Sequence, residues 1–251
     1  MKRSAFTYPQ TFVRGCLVRL QVRFALAAGV GLVVVVIAGM AARLSLQLGA
    51  HFPFRASGVF VAIMAVATAV VGTYHPFARI GPANMVTIGR VILLALLAGG
   101  VPEPPSRRIA WATIAAGTFL AVLDGVDGSL ARRSRMSSRF GARFDMETDA
   151  LFILVLSVIV WQHGKAGAWV LIGGLLRYAF VAAKWLLPWM ARPLDPTFRG
   201  KAMAVAHMVG LLVALGPIIP TPLSAMAAAV TLAALVWSFA IDFRRLWQEE
   251  L

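Results

Sequence analysis

Cysteine is nearly absent from this 251-residue chain, where Cys16 stands alone. A single thiol forms no internal disulfide and no thiolate metal cluster, so a disulfide scaffold and a Cys-based zinc site are both excluded. Charge is scarce, at 14% of residues, and negative charge is scarcer still, with 10 Asp and Glu against 24 Lys and Arg. The four histidines show no metal-ligand spacing: His51, His75 and His163 fall at the edges of apolar runs and His207 inside one. No Ser–His–acid arrangement and no Walker-type phosphate loop is present, which removes those chemistries. Alternating apolar and polar segments are also missing, and with them a transmembrane β-barrel.

What the chain has in quantity is hydrophobic sequence, at 60% of residues, with a mean hydropathy of +0.81. Several apolar runs approach or exceed the roughly 20 residues that span a bilayer as a helix. A helix satisfies its backbone polar groups within one segment, which lipid demands. The expected fold class is therefore all-α, a polytopic membrane helical bundle of about eight helices. They are read at 24–46, 57–74, 85–100, 109–130, 141–162, 166–190 and 202–215, with an eighth that follows Pro217, Pro220 and Pro222 and ends near Phe243. The segments VPEPPSRR and ARPLDPTFRGK interrupt the pattern as polar links. Residues 1–23 form a basic N-terminal segment, too long for the head of a cleaved signal peptide, and residues 246–251 a short tail.

The formal net charge is +14. In a membrane protein such an excess is explained by cytoplasmic loops and anionic lipid, and no nucleic-acid motif competes with that explanation. With the N-terminus placed in the cytoplasm and the helices alternating, sixteen Lys and Arg fall on the cytoplasmic side. Arg55, Arg107, Arg108 and Lys165 fall opposite, and Arg43, Arg90, Arg177 and Lys184 lie within helices. This asymmetry puts both termini, and the link between the fourth and fifth helices, on the cytoplasmic face.

That link and its flanks, DGVDGSLARRSRMSSRFGARFDMETD at 124–149, gather five of the ten acidic residues. Charge beside a membrane segment is expensive and usually functional. Asp124 and Asp127 are three apart and share a helix face; Asp145 and Asp149 are four apart and share one on the next helix. A short link makes the two helices antiparallel neighbours, so the pairs can converge. Converging carboxylates repel unless a cation sits among them, and oxygen-only ligands suit Mg²⁺, Mn²⁺ or Ca²⁺. Gly125, Gly128 and Gly141 leave room for a ligand, and Arg132 can clamp a phosphate oxygen. Together these features point to a phosphoanhydride substrate. Three readings stand at this level: a metal-dependent phosphotransferase, an intramembrane prenyltransferase using Asp-bound Mg²⁺ and a prenyl diphosphate, and a non-enzymatic transporter that binds a cation in transit.

The pattern Asp124-x2-Asp127-Gly128-x2-Ala131-Arg132-x8-Gly141-x3-Asp145-x3-Asp149 resembles, at all eight fixed positions, the signature of the CDP-alcohol phosphatidyltransferase family. The resemblance extends over about 80–245 as a six-helix core, preceded by two extra transmembrane helices within 24–79. It implies transfer of a phosphatidyl or related phospho-alcohol group from a CDP-linked donor, CDP-diacylglycerol in the first instance, to an alcohol acceptor with release of CMP. By motif position, Asp124, Asp127 and Asp145 would bind the metals, two Mg²⁺ or Mn²⁺ ions, with Asp149 as their neighbour and the catalytic base. Gly128, Ala131, Arg132 and Gly141 would contact the cytidine diphosphate. Asn84-x2-Thr87-x2-Arg90 resembles a second family feature and assigns Asn84 and Thr87 to the donor site. Its structural alternative is a helix start in which Asn84 caps and Arg90 snorkels.

On the acceptor side, Arg177 and Lys184 lie seven apart on one helix face, and Arg199 and Lys201 open the seventh helix. These cations are candidate ligands for an acceptor phosphate; cytoplasmic-interface charges obeying the positive-inside rule are the alternative. After Gly200-Lys201 the chain reads AMAVAH rather than the Lys/Thr/Gln-rich continuation of the phosphatidylglycerophosphate branch, which leaves the acceptor open. Expected partners are the CDP-alcohol, the acceptor, membrane lipid and a second copy of the chain in a homodimer.

Overall fold

A computed structural model describes residues 10–74, 80–134, 138–187 and 197–248; the side chains of residues 10–19, 72–74 and 126–134 lie outside that description. Eight α-helices follow one another among these residues: α1 Gln10–Leu46, α2 Phe52–Tyr74, α3 Pro82–Gly99, α4 Arg107–Ser134, α5 Arg139–Gln162, α6 Leu171–Leu186, α7 Phe198–Ala214 and α8 Thr221–Gln248. A 3₁₀ turn, Ala168–Val170, leads into α6. No strand occurs among the described residues.

Among the described residues, five segments are long and apolar enough to cross a membrane: Leu20–Leu46, Phe52–Val71, Pro82–Gly99, Ala168–Leu186 and Thr221–Gln248. The other three helices either carry the charged motif (α4 and α5) or run only 17 residues (α7). The chain is thus a multi-pass helical membrane bundle, as the composition requires.

Several helix ends lie beyond the expected ones. α2 starts at Phe52 rather than near residue 57, so Pro53 and Arg55 belong to its first turn and not to a link. Proline is tolerated there because the N–H it lacks would have no helical partner. α1 starts at Gln10 and runs 37 residues, about 55 Å, well past a hydrocarbon core of about 30 Å. Leaving lipid does not end a helix without a breaking residue, and for the same reason α8 continues through Arg244 and Arg245 to Gln248. α6 starts later than expected because the residues before it form the 3₁₀ turn, and it ends at Leu186, where Leu187 turns extended; residues 188–190 of the expected helix lie outside the described residues. Three described starts carry side-chain caps, and at α4 the Ser106 hydroxyl accepts from the Ile109 N–H at 3.2 Å. Ser138 accepts from the Gly141 N–H at α5, and Thr197 accepts from the Gly200 N–H at α7.

Two buried clusters hold the bundle. One joins α3, α4, α5, α7 and α8 through Leu94, Leu120, Phe152, Leu156, Leu211 and Ala228. The other joins α1 and α2 to α3 and α5 through Phe24, Phe60, Met64, Val91, Phe140 and Phe144. Between membrane helices the contact is made by packing rather than by water exclusion, so small residues matter. At Gly174 of α6 an added Cβ would fall 2.4 Å from the Cα of Leu154, so only glycine permits that α5–α6 approach.

The first two helices are packed onto the rest at both ends. At one end Arg55 pairs with Glu103 in the α3–α4 turn, and the Gly49 N–H donates to Glu103 Oε2 at 2.9 Å. At the other end Phe24 of α1 meets Phe140 and Phe144 of α5 edge-on, at centroid distances of 5.6 and 6.1 Å. Those two rings flank Gly141 and precede Asp145, so α1 braces the start of the helix that carries half of the carboxylate motif. Phe24 is fully buried, and Phe24→Ala is expected to cost about 3–5 kcal/mol of stability. Equilibrium unfolding by SDS in mixed micelles measures this; an unchanged midpoint would show that α1 does not brace α5.

Candidate active site

Three helices bring their polar residues to one place inside the bundle. α3 contributes Asn84, Thr87 and Arg90, which recur every third residue and are all buried. α4 contributes Asp124, also buried, and α5 contributes Asp145 and Asp149, half-buried one helical turn apart. One carboxylate oxygen from each of Asp124, Asp145 and Asp149 lies within 4.8 Å of the others. The convergence expected from the two Asp spacings is present for these three. Asp127, Gly128, Ala131 and Arg132 have their backbone in α4, but their side chains lie outside the described residues.

Arg90 sits at the centre of the cluster, with a side-chain exposure of 0%. Its Nη1 donates to Asp145 Oδ1 and its Nη2 to Asp149 Oδ1, and Nη1 lies 3.3 Å from Asp124 Oδ1. One guanidinium therefore touches carboxylates from both α4 and α5. Lys201, from the first turn of α7, adds a second cation with Nζ 3.5 Å from Asp124 Oδ2. Arg90 does not snorkel to solvent but is wholly buried against these carboxylates, which corrects the structural alternative read from the sequence. The charge of a residue mid-way along an apolar helix was the signal; its partners were invisible because they lie far along the chain.

Asn84 does not cap α3 either. The cap position is Gly81, which makes no side-chain bond, with Pro82 just inside the helix. Asn84 instead points at α5. A Cβ on Gly141 would fall 2.7 Å from Asn84 Oδ1 and 3.3 Å from Ser138 Oγ. The room that Gly141 leaves is thus taken by an α3 side chain, so the glycine sets the α3–α5 contact beside the carboxylates. Thr87 Oγ1 donates to the Ala83 carbonyl at 3.1 Å.

The four candidate acceptor cations are dispersed. Lys201 alone of them reaches the carboxylate cluster. Arg177 binds Glu147 with Nη2 2.5 Å from Oε1, a partner not anticipated from the sequence. Lys184 lies 5.3 Å from the Phe180 ring centroid. Arg199 pairs with Asp242, donates to the Ser238 carbonyl at 3.3 Å and lies 6.0 Å from the Trp237 ring centroid. His207 is fully buried, with Nδ1 3.1 Å from Thr231 Oγ1.

The donor set fits a hard divalent cation. All three ligands are carboxylate oxygens, they approach from facing helices, and Asp124 Oδ1 is buried with no hydrogen-bond partner. Such a set suits an oxygen-binding divalent ion rather than copper or a thiolate-bound zinc.

A family model described as CDP-alcohol phosphatidyltransferase matches residues 80–240, which contain every residue of the cluster. A provisionally named cardiolipin synthase of Mycobacterium tuberculosis (strain ATCC 25618 / H37Rv) is 32% identical over 122 residues, 48% of this chain and 58% of the relative, so the match spans little over half of that protein. The CDP-diacylglycerol–glycerol-3-phosphate 3-phosphatidyltransferases of Escherichia coli (strain K12) and Salmonella choleraesuis (strain SC-B67) are each 30% identical over 139 residues, 51% of this chain and 72% of theirs. No solved structure matches. With nearly two thirds of its length under one family model, the chain belongs to the CDP-alcohol phosphatidyltransferase family.

Proposed function

We propose that this protein is an integral-membrane phosphatidyltransferase of phospholipid synthesis, which moves a phosphatidyl group from CDP-diacylglycerol to an alcohol and releases CMP. The observation that carries the proposal is the clustering of Asp124, Asp145 and Asp149 within the family-matched segment. The prenyltransferase and transporter readings have no comparable support. The unit that would do this is residues 80–245, with α1 and α2 as an accessory hairpin, and its site would face the cytoplasm, where CDP-linked lipid is made available.

In this reading Asp124, Asp127 and Asp145 hold Mg²⁺ or Mn²⁺, and Gly128, Ala131 and Arg132 line the cytidine diphosphate, with Asn84, Thr87 and Gly141 beside them. Bound metal would neutralise the diphosphate and stabilise CMP as it leaves. Asp149 takes the proton of the acceptor hydroxyl. The hydroxyl oxygen bonds the lipid-side phosphorus, and the P–O bond to CMP breaks with its electron pair going to CMP. Inside a water-poor bundle, fixed charges act more strongly on this transfer than they would in water.

The acceptor in this reading carries a phosphate, as the glycerol 3-phosphate in the names of the enterobacterial relatives does. The support is Lys201, a half-exposed ammonium beside Asp124 and hence beside the reacting groups. Purified protein in mixed micelles with CDP-diacylglycerol and Mg²⁺ is expected to release CMP with glycerol 3-phosphate and far less with glycerol. Lys201→Ala is expected to raise the acceptor KM at least about tenfold, the effect of losing one charge-assisted hydrogen bond, with the donor KM little changed. Equal CMP release with the unphosphorylated alcohol would overturn the acceptor assignment. Absence of CMP release with every alcohol tried would overturn the function.

A further inference from the structure

We propose that Arg90 is the resident counter-cation of the carboxylate cluster, and that a divalent ion and the Arg90 guanidinium compete for the same oxygens. The proposal rests on the reading of Asp124 and Asp145 as metal ligands with Asp149 as their neighbour, and it assigns this chain a built-in antagonist of metal loading.

The geometry is specific. Asp145 Oδ1 and Asp149 Oδ1 each accept from a different nitrogen of the one guanidinium, and Asp124 Oδ1 lies 3.3 Å from the first of these nitrogens. These are one oxygen from each of the three carboxylates that form the candidate metal group. An oxygen that binds Mg²⁺ or Mn²⁺ at about 2.1 Å directs a lone pair and much of its charge to the ion, and the ion repels a guanidinium at hydrogen-bond distance. Both cations therefore cannot hold the full set together.

The physical need for Arg90 is equally direct. Three carboxylates from two helices face one another in a part of the bundle where Arg90 itself is wholly buried. Buried charges persist only when paired, and like charges would force α4 and α5 apart. A planar fork bridges several oxygens at once, which an ammonium does not. Arg90 thus keeps α3, α4 and α5 in register while the cluster holds no metal. When metal arrives, the fork is released beside the place where the donor diphosphate binds. Lys201 contributes differently: it lies on the more exposed side of Asp124 and contacts the other oxygen, Oδ2.

The test uses the full chain in detergent micelles, without nucleotide or lipid donor, as wild type, Arg90→Gln and Arg90→Lys. Free Mn²⁺ is followed by electron paramagnetic resonance during titration, and unfolding midpoints are recorded with and without Mn²⁺. Arg90→Gln is expected to bind Mn²⁺ on the order of tenfold tighter than wild type, with Arg90→Lys between them. The metal-free midpoint of Arg90→Gln should fall and recover with Mn²⁺, whereas that of wild type should move little. Mn²⁺ binding by Arg90→Gln that is equal to or weaker than wild type would overturn the proposal. If Arg90→Gln yields no folded protein even when prepared in Mn²⁺, Arg90→Lys decides by the same comparison. Failure of wild type and both variants to bind Mn²⁺ at millimolar concentrations would overturn the metal reading itself.

Discussion

Asp149→Asn is expected to slow CMP release by about 10²- to 10⁴-fold, the range over which a positioned general base acts. The substitution is nearly isosteric. Its amide oxygen can still accept from Arg90 Nη2, so α3 and α5 keep a contact in place of the ion pair. What is lost is the capacity to take a proton from the acceptor hydroxyl. Asp149 is suited to that task by position: it lies one turn beyond Asp145 on the same face of α5 and is only half-buried, so an acceptor can reach it. If its main contribution were metal binding instead, excess Mg²⁺ would restore the rate. The account predicts that initial rates stay low at saturating Mg²⁺ and donor. Full activity of Asp149→Asn would remove Asp149 from its catalytic role.

Removal of metal is expected to have an effect as large, by a separate route. Chelation should stop CMP release, and Mg²⁺ or Mn²⁺ should restore it, because neither Arg90 nor Lys201 can supply two charges to the diphosphate. Asp124→Asn is expected to reproduce this in part, with at least about a 10²-fold lower rate at ordinary Mg²⁺ and a marked gain at high Mg²⁺, as several kcal/mol of charge stabilisation is lost. Asp124 is the most buried of the three carboxylates and lies between the two cations of the site. The same substitution therefore leaves Arg90 and Lys201 under-compensated, and the metal-free protein should be less stable by about 3–5 kcal/mol. Rate against Mg²⁺ concentration, with and without chelator, measures the first effect. Undiminished turnover in chelator would contradict it.

These two expectations rest on residues that spacing made visible. Each Asp pair lies within one helical turn, so periodicity placed Asp124 toward α5 and Asp145 and Asp149 toward α4. The helix count was legible for a related reason: lipid requires long apolar runs, and polar links separate them. The helix ends were less so. Pro53 reads as a break but is at home in a first turn, and the arginines near the ends of α1 and α8 do not stop a helix.

Arg90 shows what one-dimensional reading misses. Among the described residues, its hydrogen-bonded carboxylates Asp145 and Asp149 lie 55 and 59 residues away, and no local rule selects them. Gly141 is similar, since its contact with Asn84 exists only once α3 lies against α5. The cations on α6 and α7 were correctly seen as unusual, but their partners were not predictable. Arg177 is drawn to Glu147 and Arg199 to Asp242, so only Lys201 among them contacts the carboxylate cluster. The brace from Phe24 to Phe140 and Phe144 was also hidden, because each ring alone reads as ordinary apolar sequence.

The most direct measurement of the central claim is an experimental structure of the full chain with CDP and Mn²⁺, read through the anomalous signal of manganese. The account predicts a manganese peak within ligand distance of the Asp124 and Asp145 carboxylates with Asp149 beside it, the CDP diphosphate against that peak, and Arg90 withdrawn from at least two of the Asp124, Asp145 and Asp149 carboxylates. A manganese peak elsewhere, or CDP bound away from α3, α4 and α5, would contradict it.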